Sequence, residues 1–285
     1  MTKSNAVAGY FRSGLPYYRF GYGPRTLVIF QGLHFENKPL SGRMARLYSS
    51  VYKFLGKDFT TYVVTRRPGL PSGYTMQDMS DDYATMIKEE FGKPVDVIGM
   101  STGGSIAQHF AADHPDLIRR LIIHSSAYVL SDEAKRLQMH VALLARQRQW
   151  RKAYATMFAH ILPRSRVVAC IARPIVWLGS LSAGLLGAPE DPSDFAVTVE
   201  AEDKHDFKDR LAQITAPTLL VAGNKDPFYP ESLFRETAEG IPNARLIIYE
   251  GMGHPASGTQ FDRDVLTFLK EGVPEDIETT PGLER

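Results

Sequence analysis

Gly99-Met100-Ser101-Thr102-Gly103 lies between an apolar run, Val95-Asp96-Val97-Ile98, and a helix-like run, Ser105-Ile106-Ala107-Gln108-His109-Phe110. The order is strand, sharp turn, helix. A serine at the tip of such a turn is forced into a strained, exposed position above a helix N-terminus. Its glycine neighbours must be small, because larger side chains would collide across the turn.

The rest of the chain repeats this alternation. Thr26–Phe30 reads as a buried strand after a turn at Gly21-Tyr22-Gly23-Pro24, and Tyr17–Phe20 is expected to pair with it as a hairpin. Met44, Leu47, Tyr48, Val51, Phe54 and Leu55 recur at helical spacing, with Gly56 as the stop. Phe59–Thr65 is the next strand. Thr75 and Asp78 form a candidate capping box ahead of a helix whose face carries Met79, Tyr83, Met86, Ile87 and Phe91, closed by Gly92. The helix after Ser101 must end at His114-Pro115. Leu121–His124, Thr218–Ala222 and Arg245–Tyr249 are further short strands, with a helix over Pro230–Gly240 and a closing helix over Phe261–Lys270. The polar tail Glu271–Arg285 is expected to fray.

Strands alternating with helices predict an α/β fold, with a mostly parallel central sheet and helices on both faces. The alternation fails over residues 131–204, which read as helical with no strand. This predicts a core of residues 1–130 and 205–285 carrying a helical cap insertion. The cap holds apolar residues such as Leu144, Trp150, Phe158, Ile171 and Trp177, suited to line a pocket. It also holds Arg136, Arg146, Arg148, Arg151, Arg164, Arg166 and Arg173, read either as a solvated face or as contacts for a substrate carboxylate.

Composition narrows the partners. A net charge of +1 over 285 residues gives no global attraction to nucleic acid or to anionic membranes. Cys170 is the sole cysteine, so no intrachain disulfide forms, which suits a cytoplasmic setting. Met1–Gly14 lacks the apolar core of a signal peptide. Val167–Leu186 approaches membrane-spanning length, but Arg173, Pro174 and several Gly and Ser interrupt it, and stable membrane insertion is not expected. No ligand-like spacing of His, Cys or carboxylates predicts a metal, and no phosphate-cradling glycine motif predicts a cofactor. The sequence sets no oligomeric state.

A serine hydroxyl is a weak nucleophile at neutral pH. It needs a base within hydrogen-bond reach, and the base needs an orienting acid. In open α/β sheets functional groups gather beyond the carboxyl ends of strands. Asp226 follows one strand, through Gly223-Asn224-Lys225, and His254 follows the next, through Glu250-Gly251-Met252-Gly253. Each residue also has a purely structural reading: Ser101 as a helix N-cap, Asp226 as a turn former before Pro227, His254 as a surface histidine. His34 and His124 also lie near strand ends, and His34 is a candidate substrate contact.

The segments Gly-Met-Ser-Thr-Gly at 99–103, Gly-Asn-Lys-Asp-Pro at 223–227 and Gly-Met-Gly-His at 251–254 resemble the α/β-hydrolase superfamily, in its serine-nucleophile, cap-bearing, esterase- or lipase-like branch. Pro217 and Gln31-Gly32 fit as well, although the family usually has His-Gly at the latter position and here His34 comes three residues later. The resemblance implies Ser101 as nucleophile, His254 as base and Asp226 as its orienter. It also implies an oxyanion hole from the backbone N–H groups of Leu33 and Thr102, and no cofactor.

A serine rather than an aspartate at the elbow argues against dehalogenation and epoxide opening. It suits attack on a carbonyl and an acyl-enzyme. The expected activity is hydrolysis of a carboxylic ester of a small to medium, largely apolar substrate. Lactone, thioester or carbon–carbon bond hydrolysis uses the same side chains. A hydrolase-like ligand receptor with little turnover is the reading from a different class.

Overall fold

The structure is a computed structural model that describes residues 6–40, 42, 45, 50–161, 189 and 191–271. In chain order the strands are β1 (Val7–Tyr10), β2 (Pro16–Phe20), β3 (Arg25–Phe30), β4 (Phe59–Val64), β5 (Val95–Met100), β6 (Ile118–His124), β7 (Thr218–Gly223) and β8 (Ala244–Tyr249). They form one eight-stranded sheet in the order β1-β2-β4-β3-β5-β6-β7-β8. Neighbours from β4 to β8 are parallel, and β1 and β2 add an antiparallel edge. Among the fully described α-helices are α1 (Met76–Glu90), α2 (Thr102–Asp113), α3 (Asp132–Arg146), α4 (Trp150–Ile161), α5 (Ser193–Asp203), α6 (Glu231–Gly240) and α7 (Thr259–Lys270).

Every residue of β5 and β7 is buried, as expected of parallel strands covered on both faces. Successive side chains of a strand point to opposite faces. Val28, Phe30, Val97, Leu121 and Ile123 accordingly pack toward α1, α2 and α6. Leu27, Ile29, Ile98, Ile122 and Val221 pack toward α7. Each such fully buried Leu, Ile or Phe contributes roughly 1.5–3 kcal/mol. Helix α1 starts with the expected box: the Asp78 N–H donates to Thr75 Oγ1 at 3.1 Å, and the Thr75 N–H donates to Asp78 Oδ2 at 2.8 Å. Helix α2 ends at Asp113, ahead of Pro115.

Two sequence expectations need correction, and a third holds as far as the structure describes it. Tyr17–Phe20 does not form a hairpin with β3; β2 pairs antiparallel with β4, which lies between them. The turn at residues 21–24 is seated on the start of β4 instead. The Tyr22 N–H donates to Gly56 O at 3.0 Å, and Thr60 Oγ1 donates to Gly23 O at 2.7 Å. Strand β6 begins at Ile118 rather than Leu121, because its charged residues are neutralised: Arg119 donates through Nε to the buried Asp96 at 2.8 Å. The helix expected around Met44–Leu55 closes in a 3-10 turn at Lys53–Leu55. Its residues 44 and 46–49 lie outside the described residues.

Between β6 and β7 the chain makes α3, α4 and α5, which share a separate apolar cluster with Phe35 that includes Val141, Trp150, Ala153, Phe195 and Val199. The two ends of this segment run side by side: Val129 and Asp206 form an antiparallel bridge, and the Phe207 N–H donates to Tyr128 O at 2.9 Å. Asp194 in α5 accepts from the Leu70 N–H at 2.7 Å and the Gly69 N–H at 3.1 Å, tying α5 to the loop after β4. The run Val167–Leu186, with Cys170, Arg173 and the nearby Arg164 and Arg166, lies outside the described residues, as does the tail from residue 272. No helix among the described residues is long and apolar enough to cross a membrane.

Candidate active site

Ser101 sits between β5 and α2 with φ 52° and ψ −126°. A non-glycine residue held in so sparsely populated a region costs on the order of 1–3 kcal/mol. The Ser101 N–H donates to His124 O at 2.9 Å, and the Gly104 N–H donates to Ser101 O at 2.6 Å, which fixes the bend from both sides. The small neighbours are required. A Cβ on Gly99 would fall 2.6 Å from Ala107 Cβ, and one on Gly103 would fall 2.0 Å from Phe30 O. Although Ser101 occupies the N-cap position, its side chain makes no capping hydrogen bond.

The hydroxyl is directed at an imidazole instead. Ser101 Oγ lies 3.0 Å from His254 Nε2, and His254 Nδ1 lies 2.7 Å from Asp226 Oδ2. The Asp226 side chain is fully buried and that of His254 is 8% exposed. The other carboxylate oxygen of Asp226 accepts from the Phe228 N–H at 2.8 Å and the Tyr229 N–H at 3.2 Å. Asp226 thus shapes its own turn with one oxygen and holds the histidine with the other. The loops carrying the two residues are joined, with the Lys225 N–H donating to Met252 O at 2.9 Å and the Gly251 N–H donating to Asn224 Oδ1 at 2.8 Å. With Nδ1–H bound to the carboxylate, Nε2 is the acceptor for the serine proton.

Thr102 follows Ser101 as the first residue of α2, and Leu33 lines the same cavity as Ser101. The loop bearing Leu33 abuts the elbow, since a Cβ on Gly32 would fall 3.3 Å from Ser101 Cβ. Arg66, buried to 1% exposure, donates to Gln31 O at 3.0 Å and Gly32 O at 3.1 Å and so holds that loop from below. His34 turns away: its Nδ1 lies 2.8 Å from Glu36 O, and it is not part of the cavity wall. Burial holds its imidazole below the ordinary range. His124 is not a wall residue either. It is fully buried, with Nδ1 2.8 Å from Tyr52 Oη and Nε2 2.7 Å from Ala256 O.

The cavity beside Ser101 has a volume of about 160 Å³. Its wall is largely apolar, with Leu33, Phe35, Met157, Ile161, Phe195 and Phe228. Among the described residues one further polar side chain reaches it, Gln138 of α3, which is 4% exposed and whose buried Oε1 has no hydrogen-bond partner there. Burying an unpaired amide costs about 1–3 kcal/mol. Of the arginines in this segment, Arg136, Arg146, Arg148 and Arg151 are exposed, and Arg146 pairs with Glu200.

Glu202 of α5 is a second feature that sequence reasoning missed. It is fully buried beside the elbow and accepts from Thr102 Oγ1 at 2.5 Å, Ser105 Oγ at 3.1 Å and Tyr229 Oη at 3.4 Å. Burial pushes its carboxyl up, against these donors and the nearby Arg66 that draw it down. Both residues carry a readable signal. Gln138 falls on the inward stripe Ala134, Val141, Ala145, and Glu202 on the stripe Phe195, Val199, where a polar group needs a reason.

Residues 33–266 match the α/β hydrolase family. A protein of Yersinia enterocolitica that carries the provisional name carbamate hydrolase RutD is 26% identical over 263 residues, covering 86% of this chain and 87% of its own. A pimeloyl-[acyl-carrier protein] methyl ester esterase of Neisseria meningitidis is 27% identical over 173 residues, covering 60% of this chain and 54% of its own. Among solved structures, an α/β hydrolase enzyme from a Medee basin deep-sea metagenome library superposes with a TM-score of 0.72 at 18% identity, over 94% of this chain and 99% of that one.

Proposed function

Since the chain belongs to the α/β hydrolase family, we propose that it is a serine hydrolase that cleaves a carboxylic ester of a small to medium, largely apolar substrate through an acyl-enzyme. The observation that carries this reading is the unbroken chain from Asp226 through His254 to Ser101 Oγ, opening on an apolar cavity.

The hydrogen-bonded chain supports the following cycle. His254 Nε2 takes the Ser101 proton as Oγ attacks the ester carbonyl, and the carbonyl π pair moves onto oxygen. The N–H groups of Leu33 and Thr102 receive that oxyanion, each worth on the order of 3 kcal/mol. The imidazolium, held by Asp226, passes its proton to the departing alkoxide, leaving Ser101 acylated. Water then loses a proton to His254, attacks the acyl carbon and releases the acid, and Oγ regains its proton. The pimeloyl methyl ester esterase among the relatives supports ester cleavage.

A fluorophosphonate probe tests the proposal. It should label the protein covalently, and sequencing of the tagged peptide should place the label on Ser101. Labelling elsewhere, or no labelling of the folded protein, removes Ser101 from the reaction. A panel of esters, lactones, thioesters and carbamates then ranks the acyl groups accepted. Tight ligand binding with negligible turnover of every member would favour a receptor instead.

A further inference from the structure

Strands β3 and β4 are parallel neighbours, so residues 31–33 and 65–67 leave the same edge of the sheet together. The Gln31 N–H donates to Val64 O at 3.0 Å, and further along the loop Asn37 Nδ2 donates to Arg67 O at 2.9 Å. Between these ties the Arg66 side chain, 1% exposed, donates through Nη1 to Gln31 O at 3.0 Å and through Nη2 to Gly32 O at 3.1 Å. Burying a guanidinium is expensive unless it is paired and hydrogen-bonded, and a neutral donor would satisfy either carbonyl alone. What the fork adds is geometry, because its N–H donors are held in one plane at a fixed spacing. It therefore fixes two successive peptide units at once.

The second of those units bears on the chemistry. The peptide that ends in Gly32 O carries the N–H of Leu33, and a trans peptide points its N–H opposite its C=O. Drawing Gly32 O onto Arg66 turns the Leu33 N–H away from the guanidinium. Arg66 stands behind the loop and is not a wall residue of the cavity, whereas Gly32, Leu33 and Ser101 all line it. A Cβ on Gly32 would fall 3.3 Å from Ser101 Cβ, so this backbone runs directly against the nucleophile.

Resting on the hydrolase reading above, we propose that Arg66 is a positioning residue for the reaction: its grip on Gln31 O and Gly32 O aims the Leu33 N–H at the oxygen that becomes negative when Ser101 attacks. A donor aimed in advance needs no reorganisation as the charge develops. The guanidinium also polarises the Gly32 carbonyl, which strengthens the N–H at the other end of the same peptide. Thr102, the other donor residue, is held from α5, where Glu202 accepts from its Oγ1 at 2.5 Å.

A pair of ketones separates oxyanion stabilisation from folding and from binding. With butyl trifluoromethyl ketone, Ser101 Oγ bonds to the carbonyl carbon, the hydroxyl proton passes to His254, and the carbonyl oxygen becomes an oxyanion. Butyl methyl ketone occupies the same space with its carbonyl intact. Arg66→Lys keeps the charge without the planar fork, and Arg66→Met removes both. Each variant should bind the methyl ketone as the unaltered protein does and lose affinity for the trifluoromethyl ketone, by about 100-fold in Arg66→Met. The kcat for a short-chain ester should fall in step, with KM little changed. If Arg66→Met does not fold, Arg66→Lys reads the shift in the same direction. The inference is overturned if both ketones weaken in parallel, the mark of a merely loosened cavity. It is also overturned if the ratio of the two dissociation constants stays within about threefold of the original in every variant that folds. If the unaltered protein takes no fluorophosphonate label and binds the two ketones alike, the hydrolase reading itself falls and this inference falls with it.

Discussion

His124 Nε2 lies 2.7 Å from the carbonyl oxygen of Ala256, two residues beyond His254, and its neighbour Ser125 accepts from the Ala256 N–H through Oγ at 3.1 Å. The end of β6 thus grips both backbone groups of one residue in the loop that carries the base. The same strand end also holds the elbow, through His124 O and the Ser101 N–H. One residue therefore sets the spacing between Ser101 and His254 from two sides. Replacing His124 with Phe preserves ring volume against Phe261 but leaves Ala256 O without its donor. Catalytic geometry is sensitive to shifts of about 1 Å, so kcat should fall by roughly 10- to 100-fold with KM little changed. Steady-state kinetics on a short-chain ester reads this, and an unchanged kcat would show that the loop is held elsewhere.

Asp226→Asn keeps the shape of the turn, since one side-chain oxygen remains for the Phe228 and Tyr229 N–H groups. It removes the charge that orients His254 Nδ1–H. Turnover should drop by about 10⁴-fold while the melting temperature changes little. A loss below about tenfold would assign the orienting role to another acid.

The interior histidines His124 and His205 should make the protein acid-sensitive, alongside the partly buried His109, which burial also pushes down to about 4. Burial pushes His124 down to about 4 and His205 down to about 3. An unfolded imidazole titrates near 6.5. Between those values only the unfolded chain takes up the proton, so stability is full above about pH 6.5 and is lost as pH falls toward 3. At pH 5 each histidine removes about 2 kcal/mol relative to neutral pH. His205 has no hydrogen-bond partner on either ring nitrogen among the described residues and stacks against Phe207 at 6.1 Å. His205→Phe should therefore fold well and flatten the decline of melting temperature between pH 7 and pH 5. An identical decline in both proteins would place the acid sensitivity elsewhere.

Glu202 works in the opposite sense. Burial raises its carboxyl above the ordinary range, so its charged form costs stability as pH rises from the unfolded carboxylate range through the raised value. Glu202→Gln keeps hydrogen-bonding groups toward Thr102 and Ser105 without the charge. It should raise the melting temperature at pH 8, with the gain shrinking as pH is lowered toward 5. A lower melting temperature at pH 8 would show that the ionised form is the stabilising one.

The parallel sheet and the convergence of Ser101, Asp226 and His254 were legible in the sequence for one physical reason. Short apolar runs mark strands covered on both faces, and whatever follows them lies at a common edge. Strand neighbours were less legible, because pairing is non-local. Tyr17–Phe20 reads as a strand, but nothing in it or in the Gly21–Pro24 turn names β4 as its partner. Strand β1 went unread because it lies at the sheet edge with exposed side chains, so its pattern carries no burial signal. His124, Arg66 and Glu202 hold the site through contacts that join segments far apart in the chain. Only the folded arrangement shows that the carbonyls of Gln31 and Gly32 need a guanidinium, or that α5 passes under the elbow.

Ser101 Oγ is the proposed attacking atom. Ser101→Ala leaves Asp226, His254 and the cavity in place and removes only that oxygen. Ester turnover by the purified variant, compared with the unaltered protein at equal folded concentration, should fall by about 10⁴-fold or more. Turnover within about tenfold of the original would contradict an acyl-enzyme at this serine.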